Sequence, residues 1–272
     1  MTFVFIINPI SYLVDLAPRA FQAKISYERI KQLINELSSE ADIADASLVE
    51  EDDNKIIESI ELKDVYYKYE NNDDDSFEVG PINCKFEKGN VNFIIGGNGS
   101  GKSTISKIII GLYKEKSGEV LVNGTAMKPE KRAEYFSAVF SDYYLFKKIY
   151  GTDTSNKGDV IEKYLYKLRI KNKVSISNNE LSTIDLSTGQ RKRIALLLCY
   201  LEDKAVYLFD EWAADQDSEF REFFYLELLP EMKKRGKIII AITHDDRYFN
   251  TADKIYKMEL GKISEISREA LI

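Results

Sequence analysis

The 272-residue chain has only two cysteines, a single histidine and no excess of basic residues. Cys84 and Cys199 lie far apart, in a strand-like and a helix-like apolar context. They read as reduced core residues rather than a disulfide or metal pair, which suits a reducing compartment. A formal net charge of −7 denies the chain the basic footprint of a nucleic-acid-binding face, so no nucleic-acid partner is expected. No stretch reaches the ~18–20 uninterrupted apolar residues of a membrane span. The run from Thr2 to Val14 comes closest, but Asn8-Pro9 interrupts it and Asp15 stops it. It lacks the basic n-region and small-residue cleavage site of a signal peptide. Two readings stay open for it: a buried docking segment, or the C-terminal half of a membrane helix.

What the chain does have is periodicity. Phe21, Ile25, Ile30, Leu33, Ile34 and Leu37 recur at three- and four-residue intervals, with Lys24, Arg29 and Lys31 between them. That pattern predicts an amphipathic helix over Pro18–Leu37. Glu40 to Asp53 follows with seven acidic residues and no basic one, a solvated linker. Ile56 to Tyr69 alternates as a strand does, Glu70 to Ser76 is an acidic turn, and Phe77 to Phe86 is the expected paired strand. A short strand is predicted over Ser117–Gly124 and a helix over Gly158–Leu168. Two buried strands are predicted at Val206–Phe209 and Ile238–Ile242. Strands alternating with helices make an α/β core with an antiparallel portion at its beginning.

The chemistry concentrates in a few places. Gly96-Gly97-Asn98-Gly99-Ser100-Gly101-Lys102-Ser103-Thr104 follows the apolar run Phe93-Ile94-Ile95 and precedes Ile105, Ile108, Ile109 and Leu112 at helical spacing. That is a P-loop in its strand–loop–helix setting. Its glycines let backbone N–H groups wrap a phosphate chain at a helix N-terminus. Lys102 is placed to reach the β- and γ-phosphates, and the Ser103 hydroxyl to ligate Mg²⁺. Val206-Tyr-Leu-Phe-Asp210-Glu211 ends an apolar strand in two carboxylates, Asp210 for the metal and Glu211 as a general base on the attacking water. Ser187 is a natural N-cap, and Gly189 leaves N–H groups approachable, so Leu186-Ser187-Thr188-Gly189-Gln190 is a second anion-binding helix start. His244 ends the strand beside that of Asp210, where it can bond a γ-phosphate or orient water.

In register, these motifs resemble the nucleotide-binding domain of the ATP-binding cassette (ABC) family across residues 56–272. The resemblance implies a P-loop NTPase (RecA-like) α/β core with an antiparallel β subdomain and a helical subdomain at about 142–190. The N-terminal helix falls outside that core. It implies ATP and Mg²⁺ as ligands, with Tyr69 at the position that stacks on adenine. Gly96, Asn98, Gly99, Ser100, Gly101, Lys102, Ser103 and Thr104 form the phosphate loop. Ser187, Gly189 and Gln190 form the family signature, Thr188 replacing a common Gly, and Asp217 falls at the D-loop aspartate. Ser141 stands where the family usually has a Gln, which sets Ser141 beside Asp210 and Ser103 as a metal-side residue and Asp142 as its possible substitute. Catalysis falls to Glu211, His244 and Lys102.

That variant loop, with Phe209 to Asp217 and Thr243 to Phe249, is similar to the cyclic-peptide and siderophore-peptide exporters. Residues 1–38 would then be the end of a last membrane helix and its amphipathic cytoplasmic extension, and 39–55 the linker. The partners implied are a second cassette, in an ATP-dependent homodimer, and a membrane permease domain from another chain or from upstream sequence. The place implied is the cytoplasmic face of the inner (plasma) membrane. A soluble non-transport ABC ATPase or an ATP-dependent regulator is the alternative. The 108 positions from Lys102 to Asp210 leave no room for a chromosome-type coiled-coil insertion.

Overall fold

The computed structural model describes residues 21–22, 24–31, 56–69 and 77–267. The chain divides into two units, 1–55 and 56–272. The described residues of the first unit are helical, within the span where the apolar periodicity predicts a helix. The apolar start, the rest of that helix, the acidic linker and the acidic turn at 70–76 lie outside the described residues.

The second unit holds two main sheets. In the first, β1 (Ser59–Lys68) pairs antiparallel with β2 (Glu78–Glu87) and with β4 (Ser117–Val122), and β4 pairs with the short β5 (Thr125–Ala126). This is the antiparallel portion that the sequence pattern predicts. The second sheet has six strands in the order β12 (Lys262–Ile266), β11 (Lys254–Glu259), β3 (Val91–Gly96), β10 (Ile238–Ile242), β9 (Val206–Asp210), β6 (Phe136–Val139). Only the β11–β12 pairing at its edge is antiparallel, and β7 (Ile176–Ser177) and β8 (Glu180–Leu181) form a separate antiparallel pair.

β9 and β10 are apolar along their length because both of their faces are covered. Phe93, Tyr207, Phe209, Ile239 and Ala241 join one core with Ile161, Leu165, Leu196 and Leu197. Those partners come from α3 (Gly158–Lys167) and α4 (Thr188–Glu202), numbered after α1 (Lys102–Ile110) and α2 (Pro129–Ala133). Ile94, Leu208, Ile240 and Ile242 join the other core, with Ile105, Ile108 and Ile109 of α1 and with Leu62, Val65, Ile82 and Phe86 of the antiparallel sheet. Both cysteines are buried and free.

One detail differs from the sequence reading. Helix α1 stops at Ile110, because Gly111 takes a left-handed φ of 98° and caps it. Leu112 therefore lies past the helix end and is 55% exposed rather than on its buried face. The strand that carries Asp210 is β9, and the P-loop follows β3. β10 lies between them, with Ala241 paired to both Phe93 and Phe209.

The β11–β12 turn reaches back to the phosphate loop. Gly261 N–H donates to Ser100 O at 3.0 Å, and Gly261 O accepts Gly80 N–H at 2.8 Å. Gly261 has φ +77°, and a Cβ there would meet Glu78 O at 2.2 Å, so the contact requires glycine on both counts.

Candidate nucleotide site

The phosphate loop leaves β3 and enters α1 through Gly101, whose φ of 105° only glycine adopts without strain. Gly97, Asn98 and Gly99 line its open side, and a Cβ on Gly97 or Gly99 would meet nothing within 4 Å. On the inner side the loop is tightly packed, since a Cβ on Gly96 would lie 2.3 Å from Met258 O. The Lys102 ammonium is buried and donates to Gly96 O and Gly97 O, each at 2.9 Å. It thus spans the loop mouth where an anion would sit. Ser100 Oγ is buried with no hydrogen-bond partner. An open, donor-lined concavity closed by a buried ammonium is what a polyphosphate requires.

Asp210 is 2% exposed. Its Oδ2 accepts Ser141 Oγ–H at 3.3 Å, the Ser103 hydroxyl lies near enough to favour the charged form, and its Oδ1 has no partner. Burial, and then the neighbouring Glu211 charge, push its pKa above the usual carboxylate range, while Ser141 and Ser103 pull it down. An unpaired buried oxygen on a destabilised carboxylate, flanked by two hydroxyls, is a donor set of all-oxygen chemistry that fits Mg²⁺. All three metal-side residues of the sequence reading are thus brought together.

Glu211 takes a left-handed φ of 51° at the end of β9, and its Oε1 lies 3.1 Å from His244 Nε2. The two sit at the carboxyl ends of adjacent parallel strands, where open α/β sheets place their ligands. Tyr69 OH and Thr104 Oγ1 share a 2.9 Å hydrogen bond. The Tyr69 ring meets Tyr67 (5.1 Å, 86°) and Tyr113 (5.9 Å, 85°) edge-on, and those two stack at 5.0 Å. Sequence reasoning missed Tyr67 and Tyr113. The clue was an aromatic two positions from Tyr69 and another just beyond the α1 cap.

The signature is built as a helix start. Ser187 and Gln190 form a reciprocal capping box at the beginning of α4. Gly189 O accepts Gln216 Nε2–H at 3.2 Å, and a Cβ on Gly189 would lie 3.1 Å from Asp215 O. Asp217 accepts Phe220 N–H at 3.1 Å, capping α5 (Ser218–Glu222). The bonds of Ser187, Gly189 and Gln190 therefore run to their own helix end and to the turn after Glu211, with none to residues 96–104 among the described residues.

A strand–P-loop–helix, a carboxylate at the end of a buried parallel strand and a histidine at its neighbour's end together define a P-loop NTPase. The family model described as ABC transporter matches residues 79–214, half of the chain. The ATP-binding protein SyrD of Pseudomonas syringae pv. syringae is 42% identical over 96% of this chain and 48% of its own length. The mycobactin import ATP-binding/permease protein IrtB of Mycolicibacterium thermoresistibile is 26% identical over 95% of this chain and 45% of its own. The fold matches a solved bacterial Atm1-family ABC exporter with a TM-score of 0.64 at 19% identity, covering 79% of this chain and 39% of that one. The chain belongs to the ABC transporter family and has the fold of its ATPase domain. It spans about half the length of these curated relatives.

Proposed function

We propose that this chain binds and hydrolyses ATP to power export of a substrate, of peptide type, as the ATPase part of an ABC transporter. The observation that carries the hydrolytic reading is the 3.1 Å pairing of Glu211 Oε1 with His244 Nε2, beside the convergence of Ser103 and Ser141 on Asp210. Phosphoryl transfer asks the protein mainly for positioning and charge stabilisation. Glu211 takes the proton of the attacking water, His244 orients that carboxylate, and Lys102 with the loop N–H groups steadies the charge on the γ-phosphoryl group. Mg²⁺, held by Ser103, Asp210 and Ser141, would neutralise triphosphate charge when bound.

Ser187, Gly189 and Gln190 serve a second copy. Their helix start is an anion site without an anion-binding loop of its own chain bonded to it, which supports a head-to-tail dimer closing over ATP. Asp217 belongs to the same seam, and Tyr69 stacks on adenine. The permease partner meets the segment after Ser141. Tyr144, Phe146 and Tyr150 are all exposed there in edge-on contact with one another, and Tyr143 OH donates to Thr188 O at 3.4 Å. A push on this segment thus reaches both the metal side and the signature.

Among the described residues no helix is long and apolar enough to cross a membrane. In this reading the membrane domain comes from another chain or from upstream sequence, residues 1–38 are the end of a last membrane helix and its amphipathic cytoplasmic extension, and the cassette lies on the cytoplasmic face. The peptide cargo and export direction rest on the likeness of the 136–146, 209–217 and 243–249 stretches to peptide exporters.

The decisive experiment is Glu211→Gln. It should leave only a small residual ATP turnover, keep ATP binding and accumulate an ATP-bound dimer in size-exclusion chromatography with light scattering. Near-normal turnover refutes the catalytic reading. For transport, the chain should sediment with membranes and be released by detergent. Full recovery in the detergent-free supernatant favours a non-transport ATPase.

A further inference from the structure

We propose that Lys192 is a positioning residue for hydrolysis, fixing the backbone of Glu211 from the signature helix; the inference rests on the reading of Glu211 as general base. Lysine is among the residues least often fully buried, yet Lys192 is 2% exposed in the first turns of α4. Its ammonium donates to Glu211 O at 3.0 Å and pairs with Asp215 Oδ2 at 2.7 Å. Its own carbonyl accepts Trp212 Nε1–H at 2.9 Å, and Trp212 is itself buried and stacked on Phe224.

Glu211 needs holding. Its φ of 51° is one that a residue with a Cβ adopts only where the surroundings impose it. The peptide before Glu211 is fixed by Glu211 N–H donating at 3.1 Å to the carbonyl of Ile242, the last residue of the strand that leads to His244. The peptide after it is fixed by Lys192. Two backbone clamps, one on each side, set the direction of the Cα–Cβ bond and hence where the carboxylate meets His244. The second clamp belongs to the helix whose first turn carries Ser187 and Gly189. The signature and the base of one chain are thereby a single rigid piece, so a signature drawn toward a second copy carries the aim of Glu211 with it.

The test is a cycle on the full chain, measuring ATP turnover, KM, affinity for a fluorescent ATP analogue and melting temperature. Lys192→Met keeps side-chain length and burial but removes the donor. It should lower kcat ~10–100-fold, as small misplacements of catalytic groups do, with KM and analogue affinity within about twofold. On the residual rate of Glu211→Gln it should cost nothing further. Lys192→Gln, whose amide can donate to the same carbonyl, should fall between, and it serves should the Met variant fail to fold. Asp215→Asn removes the ion pair but leaves the carbonyl bond, and should stay within about threefold of wild type, because the reach to Glu211 is intact. A Lys192→Met kcat within twofold of wild type, or an equal loss on the Glu211→Gln background, overturns the proposal. So does an Asp215→Asn loss as large as that of Lys192→Met. Near-normal turnover in Glu211→Gln takes down both readings, whereas a nearly inactive Glu211→Gln beside an active Lys192→Met takes down this one alone.

Discussion

Asp210→Asn should make the nucleotide-free protein more stable while destroying its response to Mg²⁺–ATP. Asp210 is buried with Oδ1 unpaired, and it adjoins the charge of Glu211. A buried polar atom without a partner costs about 1–3 kcal/mol. Asparagine keeps the shape and removes the charge that burial and Glu211 disfavour, and its N–H₂ group can donate to Ser141 Oγ. Taking ~1.5 kcal/mol as the relief, and ~2–4 °C per kcal/mol for a domain of this size, the melting temperature should rise by roughly 3–6 °C at neutral pH.

The pH dependence follows from the direction of the shift. The folded pKa of Asp210 lies above its unfolded value because burial disfavours the charge. The native state therefore holds this proton more tightly, and the carboxylate's penalty is present above the folded pKa. It fades as pH falls through that pKa toward the unfolded value near ~3.9. The variant's advantage should shrink on acidification. Differential scanning fluorimetry from neutral pH down to the unfolded carboxylate value, ~3.9, measures it, with and without Mg²⁺–ATP. Wild type should gain stability from the ligand by mass action and the variant should not. An advantage that is absent at neutral pH, or that grows on acidification, refutes the burial argument.

Lys102→Ala should weaken ATP binding at least tenfold in calorimetry and lower the melting temperature, because two charge-assisted bonds to Gly96 O and Gly97 O go with the ammonium. Unchanged ATP affinity contradicts its role. Tyr69→Phe loses only the bond to Thr104 and should cost about 1 kcal/mol of stability in denaturant titration. Tyr69→Ala should additionally loosen adenine by ~1–3 kcal/mol, and equal nucleotide affinity in the two variants returns the ring to strand packing. Ser141→Ala should raise the Mg²⁺ concentration needed for half-maximal turnover, by removing the hydroxyl at Asp210 Oδ2. No change there removes Ser141 from the metal side.

Much of the architecture was legible because β9 and β10 are short apolar runs punctuated by turns and followed by chemistry. The P-loop motif is equally local in the chain, although Gly96 also answers to a distant neighbour, Met258 O, 2.3 Å from where its Cβ would lie. What stayed hidden depends on distant contact. β11 buries Ile255, Tyr256 and Met258 among Lys254, Lys257 and Glu259, a spacing that matches neither a strand's alternation nor a helix's stripe. Arg191-Lys192-Arg193 is a run of three basic residues with nothing local to tell them apart. Only packing shows that the middle residue turns inward while Arg193 lies over the Phe220 ring at 3.7 Å. The Phe223–Leu228 stretch winds as a π-helix between α5 and α6 (Leu229–Lys234), a register that sequence periodicity does not encode.

The turn at Leu260-Gly261 gives the chain an unexpected dependency. The loop that would grip phosphate borrows part of its stiffness from a hairpin formed only when the second unit is almost fully synthesised, and that hairpin leans in turn on the strand at Gly80. A nascent chain carrying every residue from 96 to 104 would therefore still lack a finished cradle. Trimming the last strands, however remote from the chemistry, should be felt first as a slack grip on the nucleotide.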